Sequence, residues 1–290
     1  MDAFSAQPIA SEINTENMND RVRIQIDGDV ARVALIRTDK HNAMDFAMID
    51  AVLDAQKQLR ALPSLRGIIL YGEGPSFCSG IDFKSVLGDR RKAMAGYASL
   101  WSPVRNRFQA WSMGWRELPV PVIAAIHGNC FGAGIQLALG ADIRIATPDA
   151  RISIMEAKWG LIPDMGGAAL LRELIPIDLA KELTMTGRIV TGNEAKMLGL
   201  VSHVDEFPMA RAEQLVAEIL TRSPDAVAAG KFLMQEAWSA TEPQALAAER
   251  RRQRQLLGSA NQRIAAKRNT GGTGNTGDET APYGPRKIKR

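Results

Sequence analysis

Cysteine is nearly absent from this 290-residue chain: Cys78 and Cys130 are the two present, and neither sits in a CxxC pair or a Cys/His cluster with metal-ligand spacing. A disulfide framework and a metal site are therefore not expected, and a reducing, cytoplasmic setting is. The first twenty residues contain no Lys or Arg and no continuous apolar run, which fits neither a secretory signal nor a transit peptide. No window is long and apolar enough to suggest a membrane span. Also missing are a Walker-type GKS or GKT and a GxGxxG with an acidic residue closing the next strand, so the common nucleotide-binding classes are set aside. Charge of one sign is scarce as well. The net charge is +4, and Arg286, Lys287, Lys289 and Arg290 supply much of the excess, leaving a near-neutral body. Such a body argues against a nucleic-acid-binding core and fits a metabolic enzyme.

What is present is a large apolar fraction, 46% of residues, enough for a substantial core in one or two domains. Residues 1–20 are polar and aperiodic and read as a flexible arm. Two β-branched runs, 21–27 and 30–36, flank Gly28 and Asp29 in the manner of a hairpin. From Met44 to Leu62 the apolar positions Met48, Ile49, Val52, Leu53 and Leu59 recur at helical spacing, and Pro63 closes the segment. The run GIILYG then leads into a glycine-punctuated loop. PVIAAIHG (121–128) is a second buried-strand candidate, GAGIQLALGA (132–141) a helix opening on glycine, and DIRIAT and RISIM further short strands. This alternation predicts an α/β fold. Helical signals dominate from about 200 to 258. Residues 259–290, with GGTGNTGDET and a basic end, read as a disordered tail whose last twenty residues are dispensable for folding.

Two loops carry the chemistry. In Pro75-Ser-Phe-Cys-Ser-Gly-Ile-Asp82, small residues at Ser79 and Gly80 let a ligand approach the backbone and leave the amide of Ile81 free to point at it. In His127-Gly-Asn-Cys-Phe-Gly-Ala-Gly134, a strand runs into a helix whose first amides have no partner within the helix. Each loop alone is compatible with an ordinary turn. Together they could direct two N–H donors at one oxygen.

The segments KHNAM (40–44), FCSGID (77–82), PVIAAIHGNCFGAGIQLALGADIRIA (121–146) and EAKWGLIPDMGG (156–167), in that order and spacing, resemble the crotonase superfamily of enoyl-CoA hydratases and isomerases over roughly residues 21–258. The resemblance implies a spiral of ββα units over 21–199, a helical C-terminal region over 200–258 serving oligomerisation, and a homotrimer or dimer of trimers. It implies fatty acid metabolism with an acyl-CoA substrate, in which coenzyme A is part of the substrate and no separate cofactor is needed. The backbone amides of Ile81 and Ala133 match the family's oxyanion hole. Lys40, His41, Asn42, Ala43, Ser79, Gly80 and Asp82 match stretches that line the CoA pocket. Two donors placed there would stabilise the charge that develops on a thioester oxygen when a neighbouring proton leaves.

Three side chains are the catalytic candidates. The family's hydratases hold a water between two glutamates, and this chain has Gln136 at the first position and Glu156 at the second. An amide can hold a water but does not exchange protons with it near neutral pH. Asp164 stands eight residues after Glu156, a pairing that resembles the dienoyl-CoA isomerases. Isomerisation is therefore the expected reaction, with hydration by Glu156 and a water positioned by Gln136 as the alternative. Dehalogenases of the superfamily place a nucleophilic Asp at the Asp164 position, a smaller possibility, and an inactive CoA-binding or RNA-binding paralogue lies outside catalysis. Trp159 is open to two readings, acyl-pocket wall or core packing.

Overall fold

The computed structural model describes residues 14–270 and 281–290, and within them the chain forms two sheets wrapped by helices. Strands β1 (Asn14–Met18), β2 (Val22–Asp27) and β3 (Val30–Leu35) make an antiparallel meander. Helix α1 (Phe46–Arg60) follows, capped by Asp45, whose carboxylate accepts the Met48 amide. Parallel strands then extend the same sheet: β4 (Gly67–Gly72) and β5 (Val122–Ile126). After β5 the chain steps into a second sheet as β6 (Asn129–Phe131) before helix α2 (Ala133–Leu139). The step repeats, with β7 (Ile143–Ala146) in the large sheet and β8 (Arg151–Ser153) in the small one. Finally β9 (Val190–Thr191) joins the small sheet and β10 (His203–Val204) the large one. Two strands, one per sheet, and then a helix form the repeating unit, in accord with the expected α/β spiral.

The sequence pattern explains the layering. Parallel strands buried on both faces read as unbroken apolar runs, and every residue of β5 is buried. Alternate residues serve different partners. Ile69, Ile123, Ala125 and Ile145 pack with Ala212 and Val216 of helix α3 (Pro208–Leu220). On the other face Ile68, Leu70, Val122, Ala124 and Ile126 join α1 and α2 in the main core. Among the described residues no helix is long and apolar enough to cross a membrane.

Two expectations need correction. Residues 14–18 are not loose: β1 pairs with β2 from Asn14↔Ile26 to Met18↔Val22, through backbone bonds that need no apolar side chain. Residues 1–13 of the predicted arm lie outside the described residues. Nor is the tail disordered where it is described. Beyond helices α4 (Pro224–Ala237) and α5 (Glu242–Leu256), a further helix, α6 (Ala260–Thr270), follows. Residues 281–290 then cross the surface as a strap. Residues 271–280 of the predicted tail fall outside the described residues. Buried Asp225, at the start of α4, accepts from Asn261 Nδ2 (2.8 Å) and from the amides of Lys287 (2.6 Å) and Ile288 (3.0 Å). Ile288 packs on Ala228, Ala229 and Phe232. Arg290 pairs with Glu117, which also receives Arg105 (2.5 Å) and Arg60 (3.2 Å). A few specific polar bonds thus anchor a segment whose composition reads as disordered.

Removing residues 281–290 strips the burial of Ile288, worth about 1.5 to 3 kcal/mol, and leaves Asp225 with lost donors. The truncated protein should melt roughly 5 °C or more below the full chain in calorimetry. An unchanged Tm would show that the strap contributes nothing.

Candidate active site

The first glycine loop is held by main-chain pairing with residues 40–44. The Met44 amide donates to Gly80 O (2.7 Å) and the Asp82 amide to Met44 O (2.9 Å), a parallel bridge that leaves the amide of Ile81 between them unused. The Ser79 amide donates to His41 O (3.0 Å). Left-handed backbone at His41 (φ 50°) and Asn42 (φ 55°) makes the tight turn that lets this strip face the loop. Asn42 is fully buried, and its side-chain amide donates to Glu73 O and Ser76 O at 2.9 and 2.8 Å.

Arg37 fastens both strips together. Its guanidinium donates to Ala43 O (2.9 Å) and to Asp82 Oδ2 (2.8 Å). Burial raises the Asp82 carboxyl, but hydrogen bonds from the Ser85 hydroxyl and amide and from Arg37 outweigh it and bring it down to about 2. Asn42 and Asp82, expected among the CoA-pocket residues, therefore spend their side chains on the frame. Lys40 and His41 remain exposed and Ser79 half-exposed. Arg37 itself carried no sequence signal.

The second loop docks directly on the first. Cys78 and Cys130 form a parallel bridge: the Cys78 amide donates to Asn129 O (3.0 Å), and the Phe131 amide to Cys78 O (3.0 Å). Close approach demands glycine here. A Cβ on Gly134 would lie 2.3 Å from Cys78 O, and one on Gly80 (φ +97°) would lie 3.0 Å from Phe131 O and 3.9 Å from the Ala133 nitrogen. Ala133 is the first residue of α2, so its amide has no partner within the helix. Among the described residues neither the Ile81 nor the Ala133 amide has an acceptor. The loops thus set two unused donors on strips that touch. Trp111, fully buried, steadies the second one by donating from Nε1 to Ala133 O (2.9 Å), a role that its sequence position does not reveal.

Glu156 stands beside this pair. A Cβ on Gly132 would lie 3.5 Å from Glu156 Oε1, which places the carboxylate next to the residue before Ala133. The Glu156 side chain is buried. Its Oε1 accepts from Gln136 Nε2 (2.6 Å), whereas Oε2 is buried without a partner among the described residues. Burial is the main cause that raises this carboxyl above its ordinary value, and the charge of Asp164 adds to it. Asp164 is exposed by surface area, yet the surrounding protein displaces enough water to raise its carboxyl as well.

Gln136 is brought to the site but does not face open space. Its Oε1 accepts the amides of Met165 (2.9 Å) and Gly167 (3.0 Å), and it is fully buried. Trp159 is 60% exposed, which removes the core-packing reading, and it lies against Phe83 with ring centroids 4.4 Å apart and the planes tilted by 32°. Burial drives the Cys78 thiol up to about 12 and keeps it un-ionised.

Known proteins resemble this chain over most of its length. Residues 25–269 match the family described as enoyl-CoA hydratase/isomerase. The chain is 35% identical over 208 residues to the enoyl-CoA hydratase EchA19 of Mycobacterium tuberculosis, covering 70% of this chain and 75% of that one. With the methylglutaconyl-CoA hydratase of Mus musculus it shares 32% over 238 residues, 78% of this chain and 73% of that one. A Thermobifida fusca protein solved in complex with acetoacetyl-CoA superposes with a TM-score of 0.74 at 30% identity, over 82% of this chain and 95% of that one. The chain belongs to the enoyl-CoA hydratase/isomerase family.

The Arg37–Asp82 pair generates a pH prediction. In the folded protein the Asp82 carboxyl sits at about 2 against an ordinary 3.8, so the unfolded chain binds that proton more tightly. The stabilisation is complete above about pH 4 and is lost as pH falls through about 2. Asp82→Asn should lower Tm near neutrality and shrink the loss of Tm across that acid window. Parallel melting curves for variant and wild type would refute the assignment.

Proposed function

We propose that this enzyme shifts double bonds in unsaturated acyl-CoA thioesters, with Glu156 as the proton-transfer group. The observation that carries the reading is the Glu156 carboxylate: one oxygen is engaged by Gln136 and the other is buried and bare, beside two unused amides. With a thioester oxygen on the Ile81 and Ala133 amides, Glu156 Oε2 removes a proton from the carbon next to the carbonyl. The C–H electrons pass into a dienolate whose charge the two amides hold. The same carboxyl returns the proton two carbons along, converting a 3-enoyl to a 2-enoyl ester. On a longer conjugated chain Asp164 is the second proton-transfer group. The acetoacetyl-CoA complex of the Thermobifida protein supports a CoA ester as ligand.

Gln136 weighs against hydration. Adding water calls for two proton-handling groups around it. Here the nearest counterpart to Glu156 is an amide whose oxygen already accepts two backbone donors. Hydration is retained as a second reading because the curated relatives above are named as hydratases.

Ultraviolet absorbance separates the two. The wild type should isomerise 3-enoyl-CoA or 3,5-dienoyl-CoA faster than it hydrates crotonyl-CoA. Efficient hydration with no isomerisation of either ester would replace the isomerase reading. Glu156→Gln should lower kcat by about 100 to 10,000-fold with little change in CoA-ester affinity. Activity within about tenfold of wild type would remove Glu156 from the mechanism.

The raised carboxyl adds a pH signature. A base must be ionised, so the acid limb of kcat/KM should lie above the ordinary glutamate value of 4.5. Asp164→Asn removes a charge that raises Glu156 and should move that limb down, while slowing dienoyl more than simple enoyl isomerisation. A limb that stays put would show that the two carboxyls do not interact.

A further inference from the structure

We propose that Gln136 is a positioning residue that ties the Glu156 carboxylate and the Asp164 loop into one unit, leaving Oε2 of Glu156 as the oxygen free to take a proton. The inference rests on Glu156 as the proton-transfer group, whichever double-bond reaction it serves.

The orientation of the amide is fixed by its partners. Two backbone donors, the amides of Met165 and Gly167, converge on one atom of Gln136, and only the carbonyl oxygen can accept them. The NH2 group is thereby turned toward Glu156 Oε1, 2.6 Å away. The turn between the two donors is tight. Gly166 has φ +90°, and a Cβ on Gly167 would lie 2.7 Å from Gln136 Oε1. Asp164 directly precedes this turn, so its main chain is anchored through Gln136 to the carboxylate beside the oxyanion amides. The whole link is buried, with Gln136 only 1% and Glu156 6% exposed.

Charge explains why an amide suits the position. A glutamate at 136 would keep an acceptor for Met165 and Gly167. It would also set a second carboxylate oxygen against Glu156 Oε1 at a separation of 2.6 Å in the present geometry, tolerable only if the two share a proton. A shared proton ties up the base. The amide instead donates to Glu156, which lowers its carboxyl, opposing the rise from burial and Asp164. Gln136 therefore serves the ionised form of Glu156 and the geometry of the loop together.

Two variants test the two halves of the link. Gln136→Met keeps the volume and removes both functions. It should cut kcat about 10 to 100-fold through misplaced groups, leave KM for the CoA ester nearly unchanged, and move the acid limb of kcat/KM upward. Amide hydrogen exchange at Met165 and Gly167 should quicken. Gln136→Glu should also lose kcat and move the limb upward, yet retain slow exchange at those amides because its carboxylate still accepts them. Wild-type kcat with an unmoved acid limb in Gln136→Met would overturn the proposal. So would a fall in kcat with exchange unchanged in that variant, which would leave Glu156 uncoupled from the loop. Gln136→Glu exceeding wild-type activity would overturn it as well. A failure of Glu156 itself shows separately, as full activity in Glu156→Gln.

Discussion

A main-chain amide cannot be aimed by its own side chain, and that constraint governs everything around Ile81 and Ala133. Their direction is set by neighbours. The Met44–Ile81 bridge fixes one amide, and the start of α2, steadied by Trp111, fixes the other. The Cys78–Cys130 bridge sets the spacing between the loops. Side chains at 81 and 133 are then free to be Ile and Ala, while glycine is demanded at 80 and 134, where the strips touch. Arg37 fastens the outer strip by one hydrogen bond to Ala43 and one ion pair to Asp82.

Such a site is expensive for the fold. Among the described residues two amides without acceptors and one bare, buried carboxylate oxygen meet here, and a missing hydrogen bond costs about 1 to 3 kcal/mol for a typical buried group. The surrounding layers offset this. Strand β5 is buried on both faces and ties α3 on one side to α1 and α2 on the other, so local opening of the site would have to disturb a continuous core.

Periodicity made much of this legible. The spacing of Met48, Ile49, Val52 and Leu59 marked α1, and unbroken apolar runs marked β4 and β5. Loops that must approach closely advertise themselves by small residues, which marked both loops, whereas the choice of Ala133 as the second donor came from the family resemblance. Other features depend on where a polar group ends up, which no local pattern encodes. The edge strand 14–18 is held by its backbone ladder to β2, by Met18 against the core and by the Gln58 amide on Glu16. The strap 281–290 is held by Ile288 on α4, by Arg290 on Glu117 and by a buried carboxylate, Asp225, that serves residues more than sixty positions later. Gln136 was visible as a residue type, but its partners at 156, 165 and 167 were not, and Arg37 stood out in no motif.

The paired thiols behind the two loops give the protein a built-in clock. Cys78 and Cys130 are both free, fully buried and held opposite each other where the two loops bridge. An alkylating reagent cannot reach either until the strips separate, and a thiol that burial holds at about 12 offers almost no thiolate while closed. Labelling at these positions therefore proceeds at a pace set by how often the site breathes apart. The cysteines thus report, from inside, the free energy of local opening of the surface that holds the two amides in register.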